Sequence, residues 1–164
     1  MDSFLYKVLI FTQYKIEEDN MGKEIEVDVL DELNKGACMG MDAIKFVIDK
    51  VEDEEFRKLL EKQYEGYNRI SESICKLYPE YSKDEPRETN AMNKVMTWYG
   101  IEMKTLMDSS DSKLAELLLQ GTNMGIIEGR RLMNHKHTDE QVEKIVSDYV
   151  KNQEKAVEDL KKYL

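Results

Sequence analysis

An all-α helical bundle is the fold class this sequence predicts, and three observations carry the prediction. Only two prolines and eight glycines occur in 164 residues, too little punctuation for a fold of many strands and turns. Glu, Lys and Leu are the commonest residues, and all three favour helix. Apolar residues also recur at spacings of three and four over long stretches, the period of a helix with one buried stripe. The length suits a single domain with a substantial core.

The first 20 residues stand apart. They hold β-branched and aromatic residues followed by the polar run "KIEEDN", and helical periodicity starts after Met21-Gly22. The expected division is an N-terminal extension over 1–21 and one helical domain over 22–164, the extension being either an upstream addition or a short strand or helix capping the bundle.

The first helix of the domain runs from about Val27 to Val51. Its stripe is Leu30, Leu33, Ala37, Met41, Ile44, Ile48 and Val51. Asp53 reads as the N-cap of a second helix, with Phe56, Leu59, Leu60, Gln63, Tyr67, Ile70, Ile74 and Leu77 inward and Pro79 at its end. So short a break implies an antiparallel hairpin. The polar stretch "PEYSKDEPRET" carries both prolines. A third helix is expected next, with Met92, Val95, Met96, Tyr99, Met103 and Leu106 inward.

"DSSDS" breaks that helix, and Asp111 is expected to cap a fourth, with Leu114, Leu117, Leu118, Gly121, Gly125, Glu128 and Leu132 on its stripe. Thr138 with Gln141 reads as the capping box of a fifth, C-terminal helix. Val142, Ile145, Tyr149, Val150, Val157, Leu160 and Leu164 form its stripe. The segment 49–60 also partly overlays 107–118, with Asp53 on Asp111 and Phe56 on Leu114. The expected architecture is therefore two antiparallel hairpins plus a fifth helix.

Composition excludes some roles. A formal net charge of −10 repels phosphates, so neither nucleic acid nor an anionic membrane is an expected partner. Cys38 and Cys75 form no CxxC and have no histidine at ligand spacing, which disfavours a zinc site and suits a reducing compartment. No apolar run reaches the roughly 20 residues a membrane crossing needs. The expected location is cytoplasmic.

The segment "VLDELNKGACMGMDAIKFVIDKVEDEEFRKLLEKQYEGYNRISESICKL", residues 29–77, resembles an uncharacterised family of bacterial ferritin-like four-helix proteins. A helix opening on Leu30 and Leu33 is followed by a tight turn through Val51, Asp53, Phe56 and Leu59. The resemblance implies a ferritin-like fold with a long crossover between hairpins, and it supplies no catalytic residues. Residues 79–88 reach about 33 Å extended against about 37 Å for a 25-residue helix, so up-down-up-down topology stays open.

A di-metal bundle needs a Glu from one helix of each hairpin and a Glu-x-x-His from the other. No Glu-x-x-His occurs. Glu61 and Glu65 have Tyr64 and Asn68 at +3, and Glu128 has Arg131. Glu102 and Glu128 are the best inward carboxylates, but their expected levels differ by roughly 15 Å, and Glu128 is better read as paired with Arg131. His135 and His137 do not share a helical face, and a cationic character near a helix C-terminus is favourable. No Ser-His-Asp order, phosphate loop or HExxH appears. No catalytic, cofactor or metal residue is assigned.

Gly121, Gly125 and Gly129 each cost about 1 kcal/mol against Ala inside a helix. The expected compensation is close packing, with Gly36 and Gly40 offering a second groove and Tyr67 or Tyr99 filling either; the alternative is a ligand cavity. Met92, Met96, Met103, Met107, Met124 and Met133 are expected at or near the core as gap-fillers. The functional expectation is an acidic, non-enzymatic structural or protein-interaction module without cofactor, working as a homo-oligomer or with a protein partner. The alternatives are a divergent di-metal carboxylate protein that oxidises or stores iron, and a small-molecule binder.

Overall fold

The computed structural model describes residues 3–87 and 110–164. Four α-helices pack as a bundle: α1 (Ser3–Val47), α2 (Glu54–Leu77), α3 (Asp111–His135) and α4 (Glu140–Leu160). Short 3-10 turns follow α1, α2 and α4. The expected third helix, with Met92, Val95, Met96, Tyr99, Glu102, Met103, Leu106 and Met107, lies outside the described residues.

The helix expected from Val27 instead continues without a break from Ser3, so the Met21-Gly22 boundary falls inside α1. Its 45 residues are about 67 Å of helix. Gly22 is tolerated because it costs only about 1 kcal/mol in a helix interior, and no neighbour needs its missing side chain. The expected end at Val51 is not reached as α-helix: α1 stops at Val47, and a 3-10 turn carries the chain on to Val51. Leu30, Leu33, Ala37, Ile44, Val47 and Val51 are all buried.

Asp53 caps α2, its carboxylate accepting the Phe56 N–H at 2.7 Å, and Phe56, Leu60, Tyr67, Ile70, Ile74 and Leu77 are buried along one face. Two expected caps are corrected. Ser110 is the N-cap position of α3 and makes no side-chain cap bond, while Asp111 is already helical. The carboxylate of Asp111 points away to accept from Glu52 N at 2.9 Å and Asp53 N at 2.7 Å. For α4 the cap is Asp139, not Thr138. Its carboxylate accepts from both Gln141 N and Val142 N, and its charge sits at the positive end of the helix dipole.

End-to-end contacts set the topology. Asp111 opens α3 where α1 ends and α2 begins. Asp139 opens α4 at the other end, where its N–H donates to Glu26 and its side chain meets Tyr81, just past α2. Tyr163 then returns to stack on Phe56 with ring centroids 4.3 Å apart. The order is thus up, down, down, up, and α2 ends at the opposite end of the bundle from where α3 begins.

The expected fifth, C-terminal helix is therefore α4, a full member of the four-helix bundle, and the hairpins are α1–α2 and α3–α4. Its buried face explains why: Val142, Ile145, Val146, Tyr149, Val150 and Leu160 all enter the common core. The overlay of 49–60 on 107–118 consequently matches the second helix of one hairpin with the first of the other, so it is not a duplicated hairpin. No fifth α-helix occurs among the described residues. None of the described helices is long and apolar enough to cross a membrane. Cys75 is exposed and Cys38 half-buried, and neither forms a disulfide.

Candidate functional site

The glycine grooves are filled by tyrosines. A Cβ on Gly40 would lie 2.4 to 2.6 Å from three ring atoms of Tyr67. The Tyr149 hydroxyl occupies the space beside both Gly36 and Gly125, 2.4 and 2.9 Å from where a Cβ would stand. Gly129 makes room for Val150 at 2.6 Å. Close packing is thus the role of these glycines, as their spacing suggested, with Tyr67 in the Gly40 groove. Tyr149, not named by the sequence expectation, fills the second groove, and Tyr99 lies outside the described residues.

These tyrosines sit halfway along the bundle with a small set of neutral polar groups. Tyr67 OH donates to Gln153 Oε1 at 2.7 Å, and Gln153 is buried. Thr122, also buried, donates to Leu118 O at 2.8 Å. Burial pushes the Tyr67 phenol up to about 12, although its bonds with Thr122 and Gln153 oppose the shift. Burial and then nearby Tyr67 raise the Tyr149 phenol as well. Both phenols are therefore neutral at any physiological pH and act as hydrogen-bonding fillers rather than bases. No group of three or more His, Cys, Asp or Glu able to hold a metal occurs among the described residues.

Glu128, expected inward, is half-exposed and paired with Arg131 at 2.7 Å. The pairing agrees with the i, i+3 spacing and the inward placement does not. The tyrosine-facing stripe of α3 runs through Gly125 and Gly129, which turns residue 128 toward α1. Met124 and Met133 are likewise exposed rather than core. His135 is the last residue of α3, and both it and His137 are exposed.

Glu128 and Arg131 form part of a cleft of about 360 Å³ between α1 and α3. Asp28, Asp31, Glu32 and Lys35 make one wall. These positions share a helical face at spacings of three and four. Glu128, Arg131, Leu132 and His135 make the other wall, with Arg87 and Lys136 at the rim. Asp31 is the buried member: Tyr78 OH and Arg87 N–H donate to its Oδ1 at 2.9 Å each, and Arg87 Nε stands 3.5 Å from Oδ2. Burial, and then the Asp31 carboxylate, push the Tyr78 phenol up to about 12. The cleft is thus a surface site lined by charges of both signs. Periodicity could not locate it, because it depends on which helices are neighbours.

Carboxylates clip both ends of the bundle. At one end Asp111 accepts from Glu52 N and Asp53 N. At the other Glu26, itself buried, accepts from Asp139 N at 2.7 Å. At each end one of these N–H groups belongs to a helix-capping aspartate of the other hairpin, Asp53 or Asp139.

No family model, curated protein or solved structure matches this chain. The resemblance of residues 29–77 thus identifies no family. What stands is the four-helix all-α bundle itself.

Proposed function

We propose that this chain is a ferritin-like bundle that has no enzymatic chemistry of its own and serves as a structural or protein-interaction module. The observation that carries the reading is the donor set at mid-bundle. Where two hard cations would need carboxylates and imidazoles from facing helices, Tyr67, Tyr149, Thr122 and Gln153 fill the space as neutral groups. The up, down, down, up order supports the ferritin-like assignment, since a crossover between hairpins places the second and third bundle helices parallel.

Surface chemistry supports the interaction role. One turn beyond Lys35 and Glu128, on the same two stripes, lie exposed Met39 and Met124, with Ile127 beside them. Large apolar side chains gathered along one seam mark contact surfaces more often than those scattered singly. The occupant we assign is a second copy of the chain.

Two measurements test this. Light scattering across a concentration series should show a dimer that Met124→Lys with Ile127→Lys converts to monomer; a wild-type monomer at all concentrations overturns self-association. Elemental analysis after incubation with ferrous iron should find none retained. Near-stoichiometric iron would favour the di-metal alternative instead.

A further inference from the structure

We infer that the α1–α3 cleft binds a small zwitterion, a molecule with an ammonium group at one end and a carboxylate at the other. The starting point is the charge census of its lining. Four carboxylates (Asp28, Asp31, Glu32, Glu128) face four basic side chains (Lys35, Arg87, Arg131, Lys136). A purely cationic or purely anionic ligand would meet as many like charges as opposite ones. Only a bipolar molecule gains at both ends.

Most of these charges already have partners. Lys35 pairs with Glu32 at 2.6 Å, Arg131 with Glu128 at 2.7 Å, and Arg87 with Asp31 at 3.5 Å. Asp28 and Lys136 make no ion pair among the described residues, although both line the same cleft from different helices. No ion pair joins the two to each other. A ligand with opposite charges at its ends engages both, its ammonium on Asp28 and its carboxylate on Lys136.

The site is also built. Asp31, more than nine-tenths buried, forms part of the lining beside Asp28. Its Oδ1 is saturated by Tyr78 and Arg87 N–H, while Oδ2 has only Arg87 Nε at 3.5 Å. That oxygen can accept a further donor, which an ammonium group supplies. The volume, about 360 Å³, falls in the range of small-ligand sites. Residues 28 to 35 rise about 10 Å along the helix, which limits the ligand to the size of an amino acid or a dipeptide.

Three five-carbon probes isolate charge from length: 5-aminopentanoate, cadaverine and glutarate. Titration of the full chain by calorimetry and amide NMR should show 5-aminopentanoate binding at least about tenfold more tightly than either other probe. Amides flanking Asp28 and Lys136 should shift. Asp28→Asn and Lys136→Gln, both exposed positions, should each weaken binding by about fivefold or more while leaving the unfolding midpoint unchanged. The inference is overturned if 5-aminopentanoate fails to saturate by about 10 mM, if cadaverine or glutarate binds equally well, or if both variants keep wild-type affinity. Dimerisation through Met124 and Ile127 is read separately, so either result can stand without the other.

Discussion

The carboxylate of Asp111 caps a helix to which it does not belong. It lies in the first turn of α3, yet accepts the N–H groups of Asp53 and Glu52 at 2.7 and 2.9 Å, at the start of α2. Asp53 in turn accepts from Phe56 N. Two aspartates from different hairpins thus share the work of satisfying one helix N-terminus, whose first N–H groups have no partner within the helix.

Removing either should destabilise the fold. Asp111→Ala should cost about 1 to 2 kcal/mol, the worth of charge-assisted bonds at an exposed site. Asp53→Ala should cost about 1 kcal/mol for the lost cap. Because both act on one helix terminus, the double variant should lose less than the sum. Urea denaturation of the three variants provides the cycle; strict additivity would show that the two caps act independently.

Glu26 should respond oppositely to two substitutions. One oxygen accepts from Asp139 N, but Oε2 is buried and has no hydrogen-bond partner among the described residues. Glu26→Gln keeps an acceptor and removes a buried charge, so stability at neutral pH should hold or rise by up to about 1 kcal/mol. Glu26→Ala leaves the Asp139 N–H unpaired and should cost about 1 to 3 kcal/mol. Equal losses in both would show that the charge itself is needed.

The glycines predict a graded series. Gly40→Ala places a methyl group against the body of the Tyr67 ring, which cannot swing aside as a chain end could. A net loss of about 1 to 3 kcal/mol is expected despite the gain in helix propensity. Gly66 has nothing within 4 Å of where a Cβ would stand, so Gly66→Ala should stabilise by up to about 1 kcal/mol. Thermal unfolding of the pair separates packing from propensity.

Alkaline pH should unfold the bundle through its buried phenols. The folded state holds the proton of Tyr67 more tightly, with its pKa raised from 10.0 to about 12. The corresponding stability is fully present below pH 10 and is lost as pH rises toward 12. Tyr67 alone accounts for about 2 to 3 kcal/mol of that loss. Tyr67→Phe should flatten the profile over this interval, measured as the urea midpoint against pH. An unchanged slope would place the alkaline sensitivity elsewhere, Tyr78 being the next group with a phenol raised to about 12.

Much of this was legible in the residues. The stripes of α1, α2 and α4, apart from Leu164, which is exposed, the Asp53 cap and the Glu128–Arg131 pair all follow from local spacing. Other features do not. A stripe says that a helix has a buried face but not which helix covers it, so spacing alone makes α4 an addition to the bundle rather than a member of it. Thr138 and Asp139 are adjacent and both cap well, and only the helix start separates them. Asp111 satisfies the local rule for an N-cap, yet its tertiary partners take it away. The cleft was invisible for the first reason: its walls are two helices far apart in the chain.

The Tyr149 hydroxyl wedged between Gly36 and Gly125 also constrains what descent or design could do with this bundle. A side chain larger than hydrogen at either glycine collides with the phenol, and a smaller one at 149 opens a void across the middle of three helices. Single steps toward a carboxylate-lined interior therefore pass through a clash or a hole. An ion-holding descendant is reachable only by changing the glycines and the tyrosine together.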